Sequence, residues 1–131
     1  MNKEEQLFDQ AHSAGMQAAE KRTPTPMVVN DPSTGERYHV PSGVCGFASV
    51  IIKPARGKFV KFLKNQFGEE SYNHSGPGTK NHYCHKHYYG GLALSCFLFG
   101  QSLEKKEAYC RAFALVLNGS GLSASCHSQM D

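Results

Sequence analysis

The segment His82-Tyr83-Cys84-His85-Lys86-His87 holds the side chains of this 131-residue chain best suited to chemistry. Imidazole nitrogen and thiolate sulfur are ligands that zinc favours, and four of them within reach close a structural tetrahedron. His82, Cys84, His85 and His87 are therefore the candidate metal ligands, with zinc the cofactor they would hold and His74 nearby. Spacing works against them. In an extended strand His82 and Cys84 point to one side while His85 and His87 point to the other. The segment must fold back, or a second chain contribute, before four ligands share one centre. The plainer reading is a polar loop whose histidines meet water or a partner.

A second candidate is basic. Lys58, Lys61 and Lys64 recur every third residue along a helix expected over residues 56–67, and Arg56 extends the row. Phe59, Phe62, Leu63 and Phe67 lie on the other side. Lysines neutralise phosphates and tyrosines stack on bases. Arg56, Lys58, Lys61, Lys64, Tyr72, Tyr83, Tyr88 and Tyr89 thus form a candidate ligand- or partner-binding surface. A basic row opposite an apolar face is also what an ordinary solvated helix presents. Thiol chemistry is the weakest of the three. Cys45, Cys84, Cys96 and Cys126 can each be written as a nucleophile with His85 or His127 as base, but nothing around them marks an activated thiol. Gly43-Val-Cys-Gly lacks the serine and spacing of a nucleophile elbow. The phosphate-loop, dinucleotide and HExxH patterns do not occur in the sequence.

Length and charge set the frame for these sites. A chain of this size has room for one domain with one core, residues 1–131. Its formal charge of +3 is unevenly spread, with six acidic and four basic groups in residues 1–40 and five acidic and ten basic in residues 41–131. That is modest for a protein that wraps a polyanion. Five cysteines without CxxC spacing, and a start unlike a secretory leader, place the chain in a reducing cytoplasm. No apolar run reaches the roughly 18–20 residues of a membrane-spanning helix, so no membrane partner is expected.

The clearest element is Leu92 to Asn118, a buried strand over Leu92–Phe99, a corner at Gly100 and a helix capped by Ser102. Leu103, Cys110, Phe113, Ala114 and Leu117 form its apolar face, and Lys106 intrudes on that face while reaching water along its stem. Asn118-Gly119 or Gly121 stops it, and Leu122–His127 reads as a short strand. Upstream, residues 2–22 read as a helix with a narrow face of Leu7, Phe8, Ala11, Ala14, Gly15 and Ala18, ended by Thr23-Pro-Thr-Pro. That face can pack within the chain or against a second copy, and a homo-oligomer is the expectation. Met27–Val29 reads as an edge strand, residues 31–43 as a surface loop, and residues 44–53 as a strand. Residues 68–91 read as a long loop or hairpin arm. The fold class is α+β: an N-terminal helix, then a β-α-β-α-β core over residues 44–131 with a small sheet packed on helices.

Thr23-Pro-Thr-Pro-Met, Gly43-Val-Cys-Gly-Phe-Ala, Gly90-Gly91 before a strand, and Gly100-Gln-Ser-x-Glu-Lys-Lys-Glu-Ala-Tyr followed by Ala-x-Val-Leu together resemble a group of small uncharacterised proteins of tailed bacteriophages. The resemblance covers nearly the whole chain except residues 68–89. It implies a setting, a phage accessory protein made in a bacterial cytoplasm, and no site residues. A small protein of that kind without a catalytic signature is first read as a binding module for a host or phage protein, acting on host or defence machinery. The alternative is a nucleic-acid- or nucleotide-binding protein, and the third reading is a metal-dependent or thiol enzyme.

Overall fold

A computed structural model describes residues 2–23, 27–30, 33–35, 37–40, 46–67, 82–87, 90–96, 98–99 and 102–130. In chain order its elements are α1 (Lys3–Lys21), β1 (Met27–Asn30), β2 (Arg37–Val40), β3 (Gly46–Lys53), α2 (Lys58–Phe67), β4 (His82–Lys86), β5 (Leu92–Cys96), α3 (Leu103–Gly119) and β6 (Ser123–Met130). The α+β class holds. Two strands are added to those read from the sequence. β2 falls in the segment read as a surface loop, pairing with β1 as a separate antiparallel hairpin. β4 falls in the segment read as a long loop or hairpin arm; it makes that hairpin with β5 and the core β-α-β-β-α-β.

The core sheet is wholly antiparallel, in the order β4-β5-β3-β6. With helices between the first and second and the third and fourth core strands, this is the connectivity of the ferredoxin-like, split β-α-β arrangement. β4 and β5 form its hairpin, closed by His87 N–H to the Gly91 carbonyl and Gly90 N–H to the His87 carbonyl.

One sheet face carries the helices. Ala48, Val50 and Ile52 of β3, Leu92, Leu94 and Cys96 of β5 and Cys84 of β4 are buried there with Phe59, Val60, Leu63 and Phe67 of α2 and Tyr109, Cys110, Phe113, Ala114 and Leu117 of α3. α1 lies on the same side and packs mainly on α3. Its small face makes this possible: Ala11, Gly15 and Ala19 are buried, and a methyl group added at Gly15 would sit 2.5 Å from the Tyr109 ring. The stripe that the sequence left open to a second copy is thus used inside the chain.

The helix ends explain the connections. Asn2 caps α1 by accepting from Glu5 N–H at 2.7 Å, and Arg22 of its exit pairs with Glu104 of α3 at 3.1 Å. Ser102 caps α3 through Lys105 N–H. α3 stops at Gly119, where Asn118-Gly119 was read to end it: Leu122 N–H bonds the Leu117 carbonyl and Gly121 N–H the Asn118 carbonyl. That six-to-one and five-to-two pair needs a left-handed residue at its centre, and Gly121 has φ 97°. The Asn118 side chain then grips β6, donating to the Ala124 carbonyl at 2.9 Å and accepting from its N–H at 2.7 Å.

Lys106 departs from its expected place. It is buried, not reaching water, because Nζ donates to the Gly46 carbonyl at 3.0 Å and lies 5.4 Å from the centre of the Phe47 ring. Among the described residues no helix is long and apolar enough to cross a membrane.

Candidate functional site

β4 separates the predicted metal ligands. His82 and Cys84 are buried on the helix-covered face. His85 and His87 alternate to the other face. The set His82, Cys84, His85 and His87 therefore does not converge within one chain, and among the described residues no group of three or more metal-type ligands does.

On the helix side, His82 joins a polar cluster the sequence reading missed. The Tyr109 hydroxyl lies 2.6 Å from His12 Nδ1 and 2.9 Å from His82 Nε2. A hydroxyl has one proton to give, so it donates to one ring and accepts an N–H from the other. Phe8 stacks on His12 and meets His82 edge-on. Burial, and then the neighbouring His12, push the His82 pKa down to about 4. Burial also lowers that of His12, against the pull of Asp9, and raises that of the Tyr109 phenol. A neutral, enclosed relay of this kind joins α1, β4 and α3. Its rings are committed to one another, which suits it to holding the helix layer in place. No local signal could have revealed it, since His12 and Tyr109 stand 97 positions apart.

The helix-free face is different. Along it run Phe47, Ser49, Ile51 and Lys53 of β3, Ala93 and Ser95 of β5, His85 of β4, and Ser125, His127 and Gln129 of β6. Among the described residues it carries no carboxylate. Its two edges approach each other. Three strand spacings of about 4.8 Å would hold β4 and β6 roughly 14 Å apart, yet the His87 and His127 rings meet edge to face with centres 5.1 Å apart. Both imidazoles therefore lean inward over the face. Ile51 (4 % exposed) and Ala93 (fully buried) lie on this face although no described helix covers them.

Beside that roof opens a groove of about 360 Å³, lined by Phe47, Ala48, Ser49, His85, Lys86, His87, Ser95, Cys96, His127 and Gln129. The Ser49 and Ser95 hydroxyls sit at its floor, hydrogen bonded at 2.9 Å. Phe47 stands at its mouth, half exposed. The groove offers imidazole and amide donors and acceptors, two hydroxyls and one exposed aromatic ring. Chemically this suits a planar, hydrogen-bonding or anionic ligand.

The lysine row is real but lies elsewhere. α2 packs Phe67 against His82, on the helix side, and Lys58 and Lys61 are exposed. Arg56, Lys58, Lys61 and Lys64 border a shallow apolar depression of about 450 Å³ with Ala55, Gly57 and Val60. The lysines and the groove thus occupy opposite sides of the sheet. Tyr83 belongs to β4 opposite Ser95, while Tyr72, Tyr88 and Tyr89, with Cys45 and His74, lie outside the described residues. Set against protein-family models, curated proteins and solved structures, the chain matches none of them.

Proposed function

We propose that the chain is a binding module whose ligand is single-stranded nucleic acid, held in the groove on the helix-free face of the sheet. The observation that carries this reading is the composition of that face: an exposed Phe47, three imidazoles and two hydroxyls converging on one groove, with no carboxylate among the described residues. Four-stranded sheets that present aromatic side chains on an open face stack unpaired bases there. That comparison is of architecture alone. The physics is local: every base has a face to stack, worth about 1–3 kcal/mol per base, and a carboxylate-free groove does not repel phosphate. The lysines of α2 are too far round the molecule to share one short ligand with it, so this reading replaces them with Phe47, His85, His87 and His127.

A protein partner, the reading suggested by resemblance to phage accessory proteins, is favoured by a different observation. β6 is an eight-residue edge strand with neither proline nor charge between Ser123 and Met130. Such edges accept an added strand.

Fluorescence anisotropy with labelled single-stranded DNA and RNA of about 15 nucleotides separates these readings. Salt-sensitive binding that Phe47→Ala and His127→Ala each weaken about tenfold, with Lys61→Ala near wild type, supports the groove. Loss with Lys58, Lys61 and Lys64 replaced, and none with Phe47→Ala, would move the site to α2. No binding to any strand would leave the β6 edge and a protein partner.

A further inference from the structure

β6 forms the edge of the core sheet on the side away from β4. Along an antiparallel strand the N–H and carbonyl of one residue point to the same side, and successive residues alternate. The Asn118 side chain takes both the N–H and the carbonyl of Ala124, so Ala124 turns its backbone away from β3. Cys126, Ser128 and Met130 follow at the same alternation and turn theirs outward too. Asn118 thus closes one end of the edge and leaves an outward run centred on Ser128. We propose that this run pairs with itself: two copies of the chain join β6 to β6, antiparallel, about a two-fold axis at Ser128. The result is one continuous sheet of four strands from each copy. The proposal rests on the protein-partner reading of β6 and names that partner as a second copy.

Self-pairing fits what borders this edge. In the proposed register Ser128 lies opposite the partner's Ser128 and Cys126 opposite the partner's Met130. Each outward N–H then meets an outward carbonyl. From Ser123 to Met130 there is no lysine, arginine, carboxylate or proline, so the paired strands set no like charges opposite each other. Leu115, 71 % exposed, and Met130, 67 % exposed, are the large apolar side chains most open to solvent among the described residues. Both border this edge on the helix side. Met130 is on β6 opposite Gly46. Leu115 stands on α3 between Arg111 and Asn118, in the row whose Glu107 accepts from the Ser128 hydroxyl at 2.8 Å and whose Asn118 holds Ala124. An axis at Ser128 also brings the Glu107–Arg111 ion pair of each copy beside its counterpart, where opposite charges alternate. The β4 edge offers nothing equivalent. It is five residues long and carries the exposed Lys86, and short charged edges resist pairing. Association through β6 alone is therefore isologous and closes at two chains. Because the axis stands perpendicular to the sheet, both grooves open on the same face.

Sedimentation velocity on the full, reduced chain from about 1 to 200 µM is expected to show a dimer of twice 14.4 kDa that dissociates on dilution. Ser128→Pro removes the central outward N–H at an edge position, where proline leaves the bonds to β3 in place. It is expected to raise the dimer Kd at least about tenfold with far-ultraviolet circular dichroism unchanged. Ser128→Cys under mild oxidation is expected to yield a disulfide joining position 128 of the two chains, identified by peptide mass, whereas Ser125→Cys yields no link to itself. A chain that stays monomeric at about 200 µM overturns the proposal. So does a dimer in which oxidised Ser128→Cys forms no link at position 128, or a folded Ser128→Pro that dimerises like wild type. The first two measurements decide if Ser128→Pro fails to fold. The groove is judged apart, by anisotropy: a monomer that still binds single strands keeps the groove reading while this proposal falls.

Discussion

Tyr109 holds one hydroxyl between the buried His82 and the half-buried His12, and Tyr109→Phe removes it without changing the ring. His82, 4 % exposed, would then keep a ring nitrogen in the core with its partner gone. Such a loss costs about 1–3 kcal/mol, and urea unfolding at neutral pH is expected to show a midpoint lowered accordingly. The same cluster sets an acid limit. Folded His82 titrates near 4 and the unfolded residue near 6.5, so below 6.5 the unfolded chain binds the extra proton. Stability is expected to be flat with respect to this group above about pH 7, to fall as pH drops, and to have lost about 3 kcal/mol by the time folded His82 also protonates. Lowered His12 acts in the same direction. Unfolding midpoints between pH 8 and pH 4 check the slope, and His82→Gln should flatten it. None of this was legible beforehand. The sequence offers His82 as a ligand because ligand type is local, whereas its partners are set by helices that arrive from both ends of the chain.

Elements were read more easily where the signal lies within them. β5, α2 and α3 carry their apolar patterns and caps on their own residues, and α1 its small face. β4 lay in a stretch read as loop or hairpin arm alike, because His82-Tyr83-Cys84-His85-Lys86 has no apolar alternation; its helix-side positions are a histidine, a cysteine and an exposed lysine, and pairing with β5 makes the strand. The lysine row was legible as a row but not as remote from the histidines, because strand order decides that. The helix layer yields a paired expectation. At Gly15 a methyl group would strike the Tyr109 ring, so Gly15→Ala is expected to destabilise by about 1–3 kcal/mol despite the better helix former. At Gly119 nothing lies within 4 Å. Gly119→Ala is therefore expected to stabilise by about 0.5–1 kcal/mol. Denaturant titration of both variants measures the two signs in one experiment.

As a molecule, the chain is a sheet with a helix layer on one side and a histidine-roofed groove on the other. α1 completes the layer, covering Tyr109 and contributing Ala11, Gly15 and Ala19 to the interior. A variant starting at residue 22 is accordingly expected to lose cooperative thermal unfolding while the full chain retains it, as followed by near-ultraviolet circular dichroism. The same dependence has a consequence during synthesis. His12 leaves the ribosome 97 residues before Tyr109. At about 5–20 residues per second, α1 waits roughly 5–20 s for the surface it docks on. The first helix made is the last to be seated, and for that interval its apolar face is open to whatever binds nascent chains.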